Sequence, residues 1–195
     1  MRAVAWLLLL LAGCGAPPPA PPCPAGAHRD DPRAARIRAR LASVPSGAAL
    51  AADADGLVHA ICFAPGGSAS VVDDAHVVIL ATDLEEGEAA ARLGHLLFHL
   101  RSGMPDAELT GPDCDLAVER ALAREAVAYV REVALQAELG AQPHVLTFDF
   151  TAAVLAASPD AREQIVLDYL RSHPAGAPGV DGLAAGYRAR CEASR

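Results

Sequence analysis

The chain has 195 residues, 52% of them hydrophobic, 4% aromatic and 21% charged, with a formal net charge of -8 at pH 7. That length fits one domain, and the apolar share is enough to build a core, which excludes global disorder. All 16 basic residues are Arg, set against 24 acidic ones, and no polybasic stripe is available to neutralise phosphates, so nucleic acid is not an expected partner.

The N-terminus reads Arg2, an apolar run over 3–12, then Gly13 and Cys14. A charged start, a short apolar run and a small-residue end describe an export signal, because a spanning helix needs about 20 apolar residues. Leu11-Ala12-Gly13-Cys14 also resembles the lipobox of bacterial lipoproteins, in which the cysteine is acylated and becomes the mature N-terminus. The resemblance implies signal residues 1–13, acylated Cys14 with a Pro-rich tether over 14–30, and one globular domain over 31–195. It also implies a cell-envelope location with the lipid as the membrane partner, since several acyl chains at about 0.8 kcal/mol per buried CH₂ anchor a protein without a spanning helix. Gly15 after the cysteine, rather than Asp, favours the outer over the inner membrane in the same scheme.

Four cysteines remain, Cys23, Cys62, Cys114 and Cys191. In an oxidising compartment they are expected to form two disulfides, with three connectivities open. Cys114 with Cys191 and Cys23 with Cys62 is the preferred pairing: the first ties the last helix to the body, the second the tether to a strand.

Along the domain, Asp31 as N-cap with Pro32 behind it opens a helix with apolar residues Ile37, Leu41 and Val44, and Pro45 and Gly47 end it. Residues 57–64 (LVHAICFA), 68–72 and 76–81 (HVVILA) read as three strands of an antiparallel meander. Asp83 and Glu86 make a capping box for a central helix to Arg101. A long helix follows, capped by Asp113 or Asp115 and closed by Gly140, with Leu116, Val118, Leu122, Val130, Val133 and Leu135 as its apolar positions. Residues 145–150 suit either a short strand or the start of a helix, and helices over 161–172 and 182–191 complete the chain. The expected class is α+β, a small antiparallel sheet packed against a helical bundle.

The central helix carries His95-Leu96-Leu97-Phe98-His99. Histidines four apart share a helical face, the spacing that lets both imidazoles reach one tetrahedral zinc. In the H-E-x-x-H pattern the Glu after the first His deprotonates the metal-bound water; here Leu96 stands in its place.

The order of strand, His-pair helix and second long helix resembles the compact gluzincin-type metallopeptidases over roughly residues 57–140. The resemblance implies a zincin-like layout and a third metal ligand from the later helix, for which Glu125 in Glu125-Ala126-Val127-Ala128-Tyr129 is the matching residue. It therefore implies zinc held by His95, His99 and Glu125, with no catalytic residue, and a domain that has lost peptidase chemistry and works by binding an envelope protein or peptide. The alternative is a zinc hydrolase that imports its base, for which Asp83, Glu85 and Glu86 are two to three turns away. Leu96 is expected on the open side of the site.

The same residues also read as two hydrogen-bonded core histidines and a solvated carboxylate pairing with an arginine, and Glu119 competes as a ligand. Glu88 can pair with Arg92. His59, His76 and His144 stand alone. The Pro65-Gly66-Gly67-Ser68 stretch is a turn, not a phosphate loop, and Ser43, Ser46, Ser68 and Ser70 sit in no nucleophile elbow.

Overall fold

The computed structural model describes residues 21–66, 70–72, 76–141, 148–173 and 182–195. Cys14 and the apolar run before it lie outside these residues, as do His144 and Ser68. Among the described residues no helix is long and apolar enough to cross a membrane.

The elements run β1 (His28–Arg29), α1 (Asp31–Ala42), α2 (Pro45–Leu57), β2 (Ala60–Ala64), β3 (Ser70–Val72), β4 (Val77–Ala81), α3 (Glu86–Ser102), a 3-10 turn (Pro105–Glu108), α4 (Cys114–Leu139), α5 (Phe148–Ala156), α6 (Pro159–Ser172) and α7 (Leu183–Ala193). The class is α+β, mostly helical with a small sheet. That sheet is mixed, not the expected antiparallel meander. Its order is β1-β2-β4-β3, with β2 and β4 parallel and Cys62 opposite Ile79. The outer pairs, β1 with β2 and β3 with β4, are antiparallel. The reason lies in the side chains. β2 (AICFA) and β4 (VVILA) are apolar on both faces, and strands of continuous apolar character belong in the interior of a sheet, where parallel pairing is found. The two- and three-residue strands take the edges.

Pro45 does not end α1; it opens α2 from its first turn, where its missing N–H costs nothing. The Ala-rich stretch behind it is a good helix former, so β2 starts at Ala60 and Leu57 closes α2. Asp30, one residue before the expected cap, accepts from the Arg33 amide at 3.0 Å. The capping box of α3 is formed by Glu85 and Glu88, two residues past the expected pair. Asp113 caps α4, accepting from Leu116 N, and Gly140 ends it at φ 62°, a left-handed conformation that glycine adopts without a Cβ clash. Leu116 does not join the apolar stripe; it is 53% exposed.

Both preferred disulfides form, Cys23–Cys62 and Cys114–Cys191, each with Cα atoms 5.8 Å apart. The first lays the segment before β1 over one face of the sheet, where Cys62, Ala60 and Val77 are buried with Cys23 and Ala27 against them. The opposite face, with Ile61, Phe63, Val78 and Leu80, packs on α1, α2 and α3 in the main apolar cluster. A second cluster gathers α4 from Cys114 to Val133 with α5, α6 and α7. Helices α3 and α4 pack directly on each other where these clusters meet. Gly94 eases that approach, because a Cβ there would lie 2.3 Å from Leu135 Cδ1 on α4 and oblige that side chain to shift.

Candidate metal centre

His95 and His99 face α4 from one side of α3, and the residues meeting them come from one stripe of α4. Val118, Leu122, Glu125, Tyr129, Glu132 and Gln136 recur at intervals of three and four and are all buried. Carboxylates at Glu125 and Glu132 thus occupy positions that the helical period assigns to the core.

Three side-chain atoms converge. His95 Nε2 and His99 Nε2 are 3.0 Å apart, and Glu125 Oε2 lies 3.2 Å from the first and 3.3 Å from the second. Bonds of about 2.0–2.1 Å to a tetrahedral zinc put neighbouring ligand atoms about 3.3 Å apart, so the triangle has the dimensions that such an ion requires. Protons fill it poorly. One proton serves one edge well, and protons on both Nε2 atoms set two N–H groups against each other at 3.0 Å. A cation between the three atoms satisfies every lone pair at once. The donor set, two imidazoles and a carboxylate, suits zinc and its neighbours in the first transition row.

The surroundings hold the triangle in place. The hydroxyl of Tyr187, on α7, donates to Glu125 Oε1, leaving Oε2 for the histidines. Tyr129 packs edge-on to His95 with ring centroids 4.7 Å apart. His95 Nδ1 faces Glu132 Oε2 at 2.9 Å, and Arg92 Nη1 reaches the same oxygen at 3.2 Å. All of these groups are buried.

Burial by itself would raise the Glu125 carboxyl, but the two histidines beside it outweigh that and hold the group far below the ordinary carboxylate range. Glu132 is lowered in the same way, burial being outweighed by Arg92 and His95. His95 is raised, because Glu125 and Glu132 together overcome its desolvation. His99 is lowered, chiefly by burial. Tyr129 and Tyr187 are pushed up, first by burial, and stay neutral phenols.

Leu96 is not on an open side of this centre. It is 5% exposed and belongs to the main apolar cluster with residues of α1, α2 and the sheet. The other candidates lie elsewhere. Glu119 pairs with Arg171 at the surface, Glu86 pairs with Arg36 and Glu85 caps α3. Glu88 belongs to the capping box, while Arg92 turns inward to Glu132. His59 and His76 stack on each other at 5.2 Å, Ser43 bonds the Arg40 carbonyl and Ser46 bonds Glu138. Glu125 pairs with the histidines rather than with a surface arginine.

Sequence reasoning missed Glu132 and Tyr187. The signal for Glu132 was present: an acidic residue seven positions after Glu125 repeats the buried helical phase. Tyr187 carries no such local mark, being brought in by the docking of α7. Set beside protein-family models, curated proteins and solved structures, the chain matches none of them.

Proposed function

We propose that the chain is an exported, lipid-anchored envelope protein whose domain holds one divalent transition-metal ion, zinc by its donor chemistry, on His95, His99 and Glu125, and that it acts by binding a protein or peptide partner rather than by hydrolysis. The observation that carries this reading is the convergence of the three donor atoms at 3.0, 3.2 and 3.3 Å. Bound zinc supplies Lewis-acid polarisation and a firm link between the helices that ligate it. With all three donors buried, the second of these is the role that the site favours: the ion would clasp α3 to α4.

Leu96 separates this protein from the peptidase chemistry of the family its layout resembles. General acid–base assistance is worth roughly 10² to 10⁴ in rate, and a leucine packed in the core offers none. Glu132 lies on the far side of the His95 ring, at Nδ1, and the Tyr187 proton is committed to Glu125. The envelope address rests on the export signal and lipobox ending at Cys14, for which the outer membrane is the proposed destination.

The zinc-loaded chain, incubated with unfolded protein and with peptidoglycan-derived peptides, is expected to leave both intact. Hydrolysis that a chelator abolishes would overturn the non-enzymatic reading. In the producing cell, Cys14→Ser is expected to shift the protein out of the membrane fraction or leave it as precursor, and normal processing with membrane retention would contradict the anchor.

A further inference from the structure

The buried polar groups around His95 exceed what a three-ligand triangle needs. Glu132 is almost wholly inaccessible, and burying a carboxylate costs several kcal/mol before partners are counted. Its Oε2 sits 2.9 Å from His95 Nδ1 and 3.2 Å from Arg92 Nη1, and Gln136 Nε2 donates to the other oxygen at 3.4 Å. Neither His95 Nδ1 nor Glu132 Oε2 has an aligned hydrogen-bond partner, but the two atoms stand 2.9 Å apart as an ion-pair contact, and a hydrogen bond between them requires a proton on Nδ1. A neutral imidazole with its proton on Nδ1 carries a bare lone pair on Nε2. That lone pair belongs to the atom standing in the triangle with His99 and Glu125.

We propose that Glu132, held by Arg92, is the positioning residue of the metal centre: it takes the Nδ1 proton of His95 in a hydrogen bond and so fixes both the tautomer and the ring orientation that aim Nε2 at the ion. The inference rests on the metal-binding reading above and adds to it a residue outside the ligand set. Arg92 has a definite part in it. An uncompensated carboxylate here would repel Glu125, whereas the Arg92–Glu132 pair cancels its own charge and leaves Glu132 free to orient the imidazole. Carboxylates in this relation to a ligating histidine typically change metal affinity by 10- to 100-fold when removed. Were Glu132 merely the counter-charge of Arg92, it would have no need to meet the His95 ring.

The test is a titration of the purified full chain with zinc and with cobalt(II), by competition against a chromogenic chelator, with the cobalt absorption spectrum recorded. Glu132→Gln is expected to keep a stoichiometry of one, to bind about 10- to 100-fold more weakly and to shift the cobalt spectrum, because the geometry at Nε2 changes. If Glu132→Gln fails to fold with Arg92 stranded, Glu132→Asp keeps the counter-charge and withdraws the oxygen from Nδ1, and it too is expected to lose at least about tenfold in affinity. Wild-type affinity and spectrum in the folded Gln or Asp variant would overturn the positioning role and leave the metal site standing. A wild-type chain that takes up neither ion would remove the metal reading itself, and this inference with it.

Discussion

Tyr187 donates its hydroxyl proton to Glu125 Oε1, so a residue of the last helix holds the carboxylate that faces both histidines, 62 positions earlier in the chain. Removing that donor strands a buried carboxylate oxygen, at a cost of about 1–3 kcal/mol or more for a charged group. Tyr187→Phe is therefore expected to lower the melting temperature by several degrees, at roughly 2–4 °C per kcal/mol for a domain of this size. Thermal unfolding measured by circular dichroism checks it, and an unchanged transition would show that the bond contributes nothing.

The two disulfides should differ in weight. Chain-entropy arguments assign them about 4 kcal/mol for the 39-residue and about 4.5 kcal/mol for the 77-residue separation, a small gap. Cys114–Cys191 has a second effect: Cys191 lies one turn beyond Tyr187 on α7, so releasing it also frees the helix that holds Glu125. Replacing Cys114 and Cys191 by Ala is expected to lower the melting point more than replacing Cys23 and Cys62, and the reverse order would contradict this coupling.

Much of the His95–His99–Glu125 triangle was legible in the sequence, and the reason is helical periodicity. His95 and His99 share a face at a spacing of four, and the resemblance to a metallopeptidase layout singled out Glu125 twenty-six residues later. Strand pairing was not legible, because β2 and β4 are apolar throughout and carry no alternation from which to read a partner or a direction. Helix α2 was lost to Pro45, a residue that can end one helix or begin the next. Leu96 was misplaced because its neighbour His95 faces α4, while one step along the helix turns the next side chain by about 100°.

The burial of Leu96 sets the outcome of restoring an H-E-x-x-H sequence. Leu96→Glu would put a carboxylate into the main apolar cluster without a partner, at a cost of several kcal/mol. The variant is expected to be strongly destabilised and to show no peptide hydrolysis. Wild-type stability together with new chelator-sensitive cleavage would mean that the position opens onto the metal.

Acid should weaken the metal-free fold through the same cluster. The Glu125 and Glu132 carboxyls are lowered from 4.5 in the folded chain, so their stabilising contribution is complete above that value and is lost as pH falls below it. His95 is raised from 6.5, and its contribution is present below 6.5 and fades above it; His99, lowered from the same value, acts in the opposite sense. The difference in melting temperature between wild type and Glu125→Gln is accordingly expected to narrow as pH drops below 4.5. A difference that stays constant down to strongly acidic pH would contradict the lowered carboxyl.

Elemental analysis of the purified chain, after dialysis against zinc and then against metal-free buffer, tests the metal centre most directly. Convergence of His95, His99 and Glu125 predicts one equivalent of zinc per chain, absent from a folded His95→Ala, His99→Ala double variant. A wild-type chain that is folded and retains no zinc, or a double variant that retains as much as the wild type, would contradict it.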